Sequence, residues 1–228
     1  MIGFGDSLYR DEAIEIYCVV VGALEVNCYF VIHLTTRNCW IVDPGDNPDA
    51  ILAELEKRKA TPVAMINTHG HADHIGANEA LKKRLQIPLW APIGDAEMYL
   101  DPWKNLSAAY GVSIVSPVPD RFLSDDEIIA LEDVTFEIRH APGHTAGEIL
   151  LYRPDVLIAG DVLFAGSVGR TDLPGGDSEQ LWHSITTKIL DLPQSTIILP
   201  GHGPATTLEL ELQLNPFIQD DGRYLREM

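Results

Sequence analysis

Positive charge is scarce in this sequence. Sixteen lysines and arginines face 34 aspartates and glutamates, a formal net charge of −18. Such a chain gains nothing from counterion release on DNA or RNA, and its field repels phosphate backbones. This argues against nucleic acid as a partner. It also weakens capture of strongly anionic small molecules unless bound cations offset the field. Cysteine is scarce as well: Cys18, Cys28 and Cys39 are odd in number and match no CxxC spacing. Neither a disulfide framework nor a thiolate metal site is expected. Reduced, buried thiols suit a reducing compartment, here the cytoplasm. No apolar run approaches the roughly 20 residues of a membrane helix; IYCVVVGAL (16–24) reads as a buried strand. The opening residues, MIGFGDSLYRDEAIEIY, lack a basic stretch followed by an apolar one, so no secretion signal is expected. There is no internal repeat and no low-complexity tract.

What is present is an ordinary globular mixture, 46% hydrophobic and 22% charged over 228 residues, read as one domain spanning residues 1–228. Strand-like runs fall at 14–21, 28–33 and 39–42. The turn-rich DPGDNPDA (43–50) precedes a helix that carries Ile51, Leu52 and Leu55 on one face. PVAMIN (62–67) reads as a strand covered on both sides. Ala77, Leu81 and Leu85 mark a second helix, and IPLWAP (87–92) another strand. Segment 93–126 is irregular and is expected to loop over one side. Strands return from residue 128, a Gly-rich loop occupies 166–177, SEQLWHSITTKILDL is a helix, and STIILPGHG (195–203) is a strand ending in a turn. Both halves run strands first, then alternating strand and helix. Two mixed sheets packed together with helices outside would bury every apolar face, an α/β architecture.

THGHADHIGA (68–77) breaks this pattern. His69, His71, Asp73 and His74 crowd into six positions directly after a strand. In extended backbone, alternate side chains share a face, so His69 and His71 can aim at one point. Asp73 and His74 come as the chain turns into a helix and point elsewhere. One segment can thus feed two adjacent centres. Three more polar residues end strand-like runs beside glycine: His144 in APGHTAG, Asp161 in AGD and His202 in PGHG. Sites in α/β folds commonly assemble at such strand ends. Divided over two metals with Asp161 bridging, the five histidines and two aspartates give each metal four contacts. Imidazole and carboxylate suit zinc, iron or manganese. His33, His140 and His183 do not fit the pattern and read as structural, His140 being the one nearest to the site in sequence.

HGHADH, followed by His144 in PGHT, Asp161 in GD and His202 in PGHG, resembles the metallo-β-lactamase superfamily from about residue 14 to 212. The resemblance implies a four-layer αβ/βα sandwich, two mixed sheets with helices on the outer faces and a dinuclear site in the cleft between the sheets. It implies that His69, His71 and His144 bind the first metal. Asp73, His74 and His202 would bind the second, with Asp161 bridging. GRTDLPGGD (169–177) and NPF (215–217) look like the short bacterial hydrolases similar to glyoxalase II, the hydroxyacylglutathione hydrolases. The chain departs from that pattern in three places. Only 26 residues follow His202, too few for the C-terminal helical domain that helps full-length glyoxalase II bind glutathione. Gly203 and Pro204 stand where that family places a Tyr. Arg170 stands for a Lys of its glutathione site.

The implied activity is hydrolysis of an acyl thioester such as S-lactoylglutathione. Two divalent ions, zinc first, about 3.5–4 Å apart, would hold a hydroxide between them and polarise the carbonyl. Asp73 would ligate the second ion and orient or accept the hydroxide proton. A thiol of pKa about 8.5 can leave as a thiolate without a strong general acid. Arg170 could pair with a substrate carboxylate, or brace its loop against Asp172 or Asp177. The expected partner is a small molecule, with neither nucleic acid nor membrane, and no oligomeric state is implied. The rivals are a mononuclear-iron persulfide dioxygenase using His69, His144 and Asp161, a lactonase or lactamase, and a noncatalytic metal-binding module.

Overall fold

A computed structural model describes residues 7–219; the first six residues, part of the stretch expected to lack a secretion signal, and the last nine lie outside the described range. The first sheet is ordered as the chain runs: β1 (Tyr9–Arg10), β2 (Ile14–Val21), β3 (Val26–His33), β4 (Asn38–Val42), β5 (Thr61–Ile66), β6 (Leu89–Pro92) and β7 (Arg121–Leu123). β1 to β4 pair antiparallel, and β4 to β7 pair parallel. Parallel neighbours need a crossover. Helix α1 (Pro48–Arg58) supplies one, and the short α2 (Ala72–Ile75) with α3 (Asn78–Leu85) supplies the next.

The second sheet begins with β8 (Ile128–Leu131), β9 (Val134–His140), β10 (Ile149–Arg153) and β11 (Val156–Gly160). A two-strand ribbon, β12 (Leu163–Phe164) and β13 (Ser167–Val168), comes next, and then α4 (Ser178–Lys188), which returns the chain to β14 (Ile197–Pro200), parallel to β11. β15 (Thr206–Thr207) and α5 (Leu208–Leu214) complete the described chain. The spatial order is β15-β14-β11-β10-β9-β8.

Period-two alternation explains the layers. Tyr29 and Val31 of β3 face the second sheet, where they meet a cluster that includes Trp40, Ile66, Phe136, Ile138, Leu151 and Ile158. Cys28, Phe30 and Ile32 of the same strand face Ile51, Leu55 and Leu81 on the helices. β3 is therefore buried on both faces, which is why it reads as an unbroken apolar run. Beyond the second sheet, Leu150, Leu157 and Ile198 pack against Leu181, Ile185 and Leu208. This is the expected helix–sheet–sheet–helix sandwich.

Three details differ from expectation. IIALEDVTFEIRHAP (128–142), read as the first of the runs returning at residue 128, is a hairpin of two strands: Leu131 pairs with Val134 around Glu132, whose φ is 58°. The turn has no glycine to announce it and is held by side chains from the first sheet, Asn38 donating to Glu132 and His33 contacting Asp133 at 2.9 Å. The irregular segment contains β7. And β15 with α5 comes after His202, where no element was foreseen. His33 is structural as expected. His140 contacts the Ala146 carbonyl at 3.0 Å, and His183 is exposed on α4. No helix among the described residues is long and apolar enough to cross a membrane.

Candidate metal centre

Strand β5 ends at Ile66, and Asn67 folds the next segment back on itself. The Asn67 side chain donates to the His74 carbonyl at 2.9 Å and accepts from Asn78 at 2.8 Å. His71 is the last extended residue (φ −67°, ψ 148°) before α2 begins at Ala72. His69 and His71 therefore precede the helix while Asp73 and His74 lie in its first turn, the division expected from the sequence. β9, β11 and β14 each feed the same edge of the sandwich: His144 sits in the loop after β9, Asp161 directly after β11 and His202 just beyond β14. Gly160, at φ 48°, lets β11 turn there; a Cβ on it would lie 2.4 Å from a Glu148 oxygen.

All seven side chains meet. His69 Nε2 lies 3.1 Å from His71 Nδ1, which lies 2.9 Å from His144 Nε2. His74 Nε2 lies 3.4 Å from His202 Nε2, and Asp73 Oδ2 is 3.3 Å from His202 Nε2 and 3.8 Å from His74 Nε2. Asp161 stands between these groups: Oδ1 is 3.5 Å from His74 Nε2, and Oδ2 is 3.5 Å from Nε2 of both His144 and His202. Their atoms form three sets able to hold a cation: His69–His71–His144, Asp73–His74–His202 and His69–His74–Asp161.

Three observations fit a metal to this cluster. First, His144 Nδ1 contacts the Arg170 carbonyl at 2.8 Å and His202 Nδ1 the Leu24 carbonyl at 2.9 Å. A carbonyl only accepts, so both Nδ1 atoms carry a proton, which leaves the Nε2 atoms that face the cluster as the ones able to ligate. Second, Asp161 Oδ1, at the junction of the two sets, is buried without a hydrogen-bond partner. Third, protons do not neutralise the first set: burial, reinforced by His144, pushes His71 down to about 3, and burial with His74 pushes His69 well below the usual imidazole value. Around His74 burial works the other way from the charges, and Asp161, Asp73 and Asp43 win, raising its pKa. That position attracts a cation. Burial opposes the ionised Asp73, yet His74 and His202 outweigh it and hold its pKa below the usual carboxylate value.

Sequence reasoning missed the carboxylates behind the cluster. Asp43 Oδ2 contacts His74 Nδ1 at 3.0 Å and accepts the Thr68 hydroxyl at 2.7 Å, while Thr68 Oγ1 lies 3.1 Å from His69 Nδ1. One carboxylate thus orients an imidazole of each set, directly or through Thr68. Glu148 accepts the Asp161 amide at 2.6 Å. Asp95 accepts from Gly70 N at 3.0 Å, Thr145 Oγ1 at 2.7 Å and Gly147 N at 2.8 Å, tying the His69–His71 loop to the His144 loop. Arg170 spends its guanidinium on Asp172, at 2.7 and 2.8 Å, the bracing role; a substrate role would require that pair to open. On a dinuclear assignment, Asp43→Asn is expected to weaken metal retention about 10–100-fold. Thr68→Val should weaken only the His69 set. Competition with a chromogenic chelator measures both.

A family model described as the metallo-beta-lactamase superfamily matches residues 21–202. The hydroxyacylglutathione hydrolase GloC of Haemophilus influenzae is 35% identical over 208 residues, 90% of this chain and 98% of that protein. The crystal structure of the BLEG-1 B3 metallo-beta-lactamase is similar with a TM-score of 0.85 and 36% identity, covering 90% of this chain and 99% of that one. That of TTHA1623 in a di-iron-bound form gives 0.80 and 38%, covering 89% and 100%. With the fold, the His/Asp cluster and these matches in agreement, the chain belongs to the metallo-β-lactamase superfamily.

Proposed function

We propose that this chain is a metal-dependent hydrolase of acyl thioesters, the class to which S-lactoylglutathione belongs. The observation that carries the reading is the pair of cation-holding sets joined by Asp161, buried at His69 and His74 but open at Asp73 and His202, whose side chains are 22% and 27% exposed. His69, His71 and His144 would hold one divalent ion, Asp73, His74 and His202 the other, and Asp161 both. Bound there, the ions supply a Lewis acid for the carbonyl and a water acidified enough to attack at neutral pH. The chain's part is positioning. Asp73, ionised and at the open side, accepts the proton of the attacking water. Asp43, Thr68 and the carbonyls of Arg170 and Leu24 fix the imidazoles so that their lone pairs converge.

A thioester suits this site because Asp73 is the cluster's solvent-facing carboxylate and is already committed to the attacking water. A thiolate leaves without a donated proton, unlike an amine or an alkoxide. The name of the GloC relative supports the same class. Zinc suits the donors, and iron is the alternative raised by the di-iron TTHA1623. The free thiols Cys18, Cys28 and Cys39 fit a cytoplasmic setting. The proposed partner is a small molecule, not nucleic acid or membrane.

Elemental analysis of the purified protein, followed by assay of zinc- and iron-loaded samples, tests the reading. Thiol release from a thioester panel that includes S-lactoylglutathione, with two ions per chain and no oxygen uptake, is the expected result. Oxygen consumption with glutathione persulfide at one iron per chain would establish the dioxygenase instead. Faster turnover of nitrocefin or a lactone would establish a lactamase or a lactonase.

A further inference from the structure

Two apolar residues flank His202 at the open side of the cluster, and among the described residues no uncommitted cation accompanies them. Leu24, 52% exposed in the turn between β2 and β3, gives its carbonyl to His202 Nδ1. The ring of Phe164 lies beside the same imidazole, with centroids 6.2 Å apart. The Phe164 turn is clamped from α5 and its end. Glu211 accepts Gly166 N at 2.8 Å and the Thr206 hydroxyl at 2.6 Å, and Asn215 donates to Glu211 at 2.8 Å and to the Ser167 carbonyl at 3.0 Å. Asn215 opens the NPF motif, whose role is thereby to hold the wall that Phe164 forms.

Among the described residues, charge recognition has no comparable provision. The guanidinium of Arg170, whose carbonyl anchors His144, is held by Asp172. Every other described lysine or arginine except Lys59 also has a carboxylate partner. Lys59 caps the C-terminal end of α1, next to the start of β5, whereas the cluster sits past that strand's other end.

We propose that the thioester cleaved here carries an uncharged, apolar thiol, seated on Leu24 and Phe164 beside His202. This rests on the thioesterase reading and narrows it. Water adds to the carbonyl, the C–S bond breaks, the thiol sulfur takes the electron pair, and the products are a carboxylate, a thiol and a released proton.

The test compares the lactoyl thioesters of benzyl mercaptan and of glutathione, each rate divided by that of hydroxide alone. The wild-type protein should favour the benzyl ester. Phe164→Ala should lower kcat/KM for the benzyl ester on the order of tenfold more than for the glutathione ester, and Phe164→Leu should restore the preference. A wild-type preference for the glutathione ester, or losses equal for both esters, would overturn the proposal. If the two-metal protein cleaves neither ester, the thioesterase reading itself fails.

Discussion

Gly201→Ala is expected to strip the protein of its metal pair while leaving the sandwich folded. A Cβ at this position would lie 2.1 Å from Asp161 Oδ1 and 2.8 Å from His74 Cε1. The backbone has no freedom to retreat: Gly201 N donates to the Gly160 carbonyl at 2.7 Å, and its carbonyl accepts Asn27 N at 2.7 Å. The carboxylate must therefore move, and it is the group that touches both sets. Loss of metal affinity by about 100-fold is expected, with turnover falling in parallel. Gly203→Ala is the control. Its added Cβ meets nothing within 4 Å, so only its φ of 75° is strained, a cost of about 1 kcal/mol. Metal retention by the Gly203 variant alongside loss in the Gly201 variant would locate the effect at Asp161. Full retention in both would mean that Asp161 is not a shared ligand.

Asp73→Asn carries the second large effect. The amide keeps the side chain's shape and one oxygen but not its charge. On the proposed assignment it loses a ligand of the second ion and the acceptor for the water proton. Turnover at saturating metal should fall about 10²–10⁴-fold, the usual worth of a general base. Metal content should drop toward one ion per chain, because His69, His71 and His144 do not involve Asp73. Native turnover in this variant would remove Asp73 from the chemistry.

The divided placement of THGHADH, two histidines before the helix and Asp73 with His74 inside it, was readable in the sequence because it arises where a strand gives way to a helix, a change that local periodicity reports. His144, Asp161 and His202 were readable only in company: a single polar residue at a strand end beside glycine is ordinarily structural, and it was the HGHADH stretch that gave three of them a common purpose. The supporting carboxylates carried no such signal. Asp43 looks like one more turn residue in DPGDNPDA, and Glu148 like the first polar position of a strand. Their partners are distant in sequence, and only the packing of two sheets brings them behind the imidazoles. The Glu132 hairpin was hidden likewise, since its turn is held by Asn38 and His33 from the other sheet rather than by glycine. Arg170 shows the opposite case: its residue type drew attention, but its carbonyl does the positioning.

The most direct measurement is an anomalous difference map from crystals of metal-loaded protein, collected at the absorption edge of the bound element. The dinuclear account predicts two peaks per chain. One would lie within bonding distance of His69, His71 and His144, the other of Asp73, His74 and His202, with Asp161 touching both. A single peak at His69, His144 and Asp161, or none at the cluster, would contradict it.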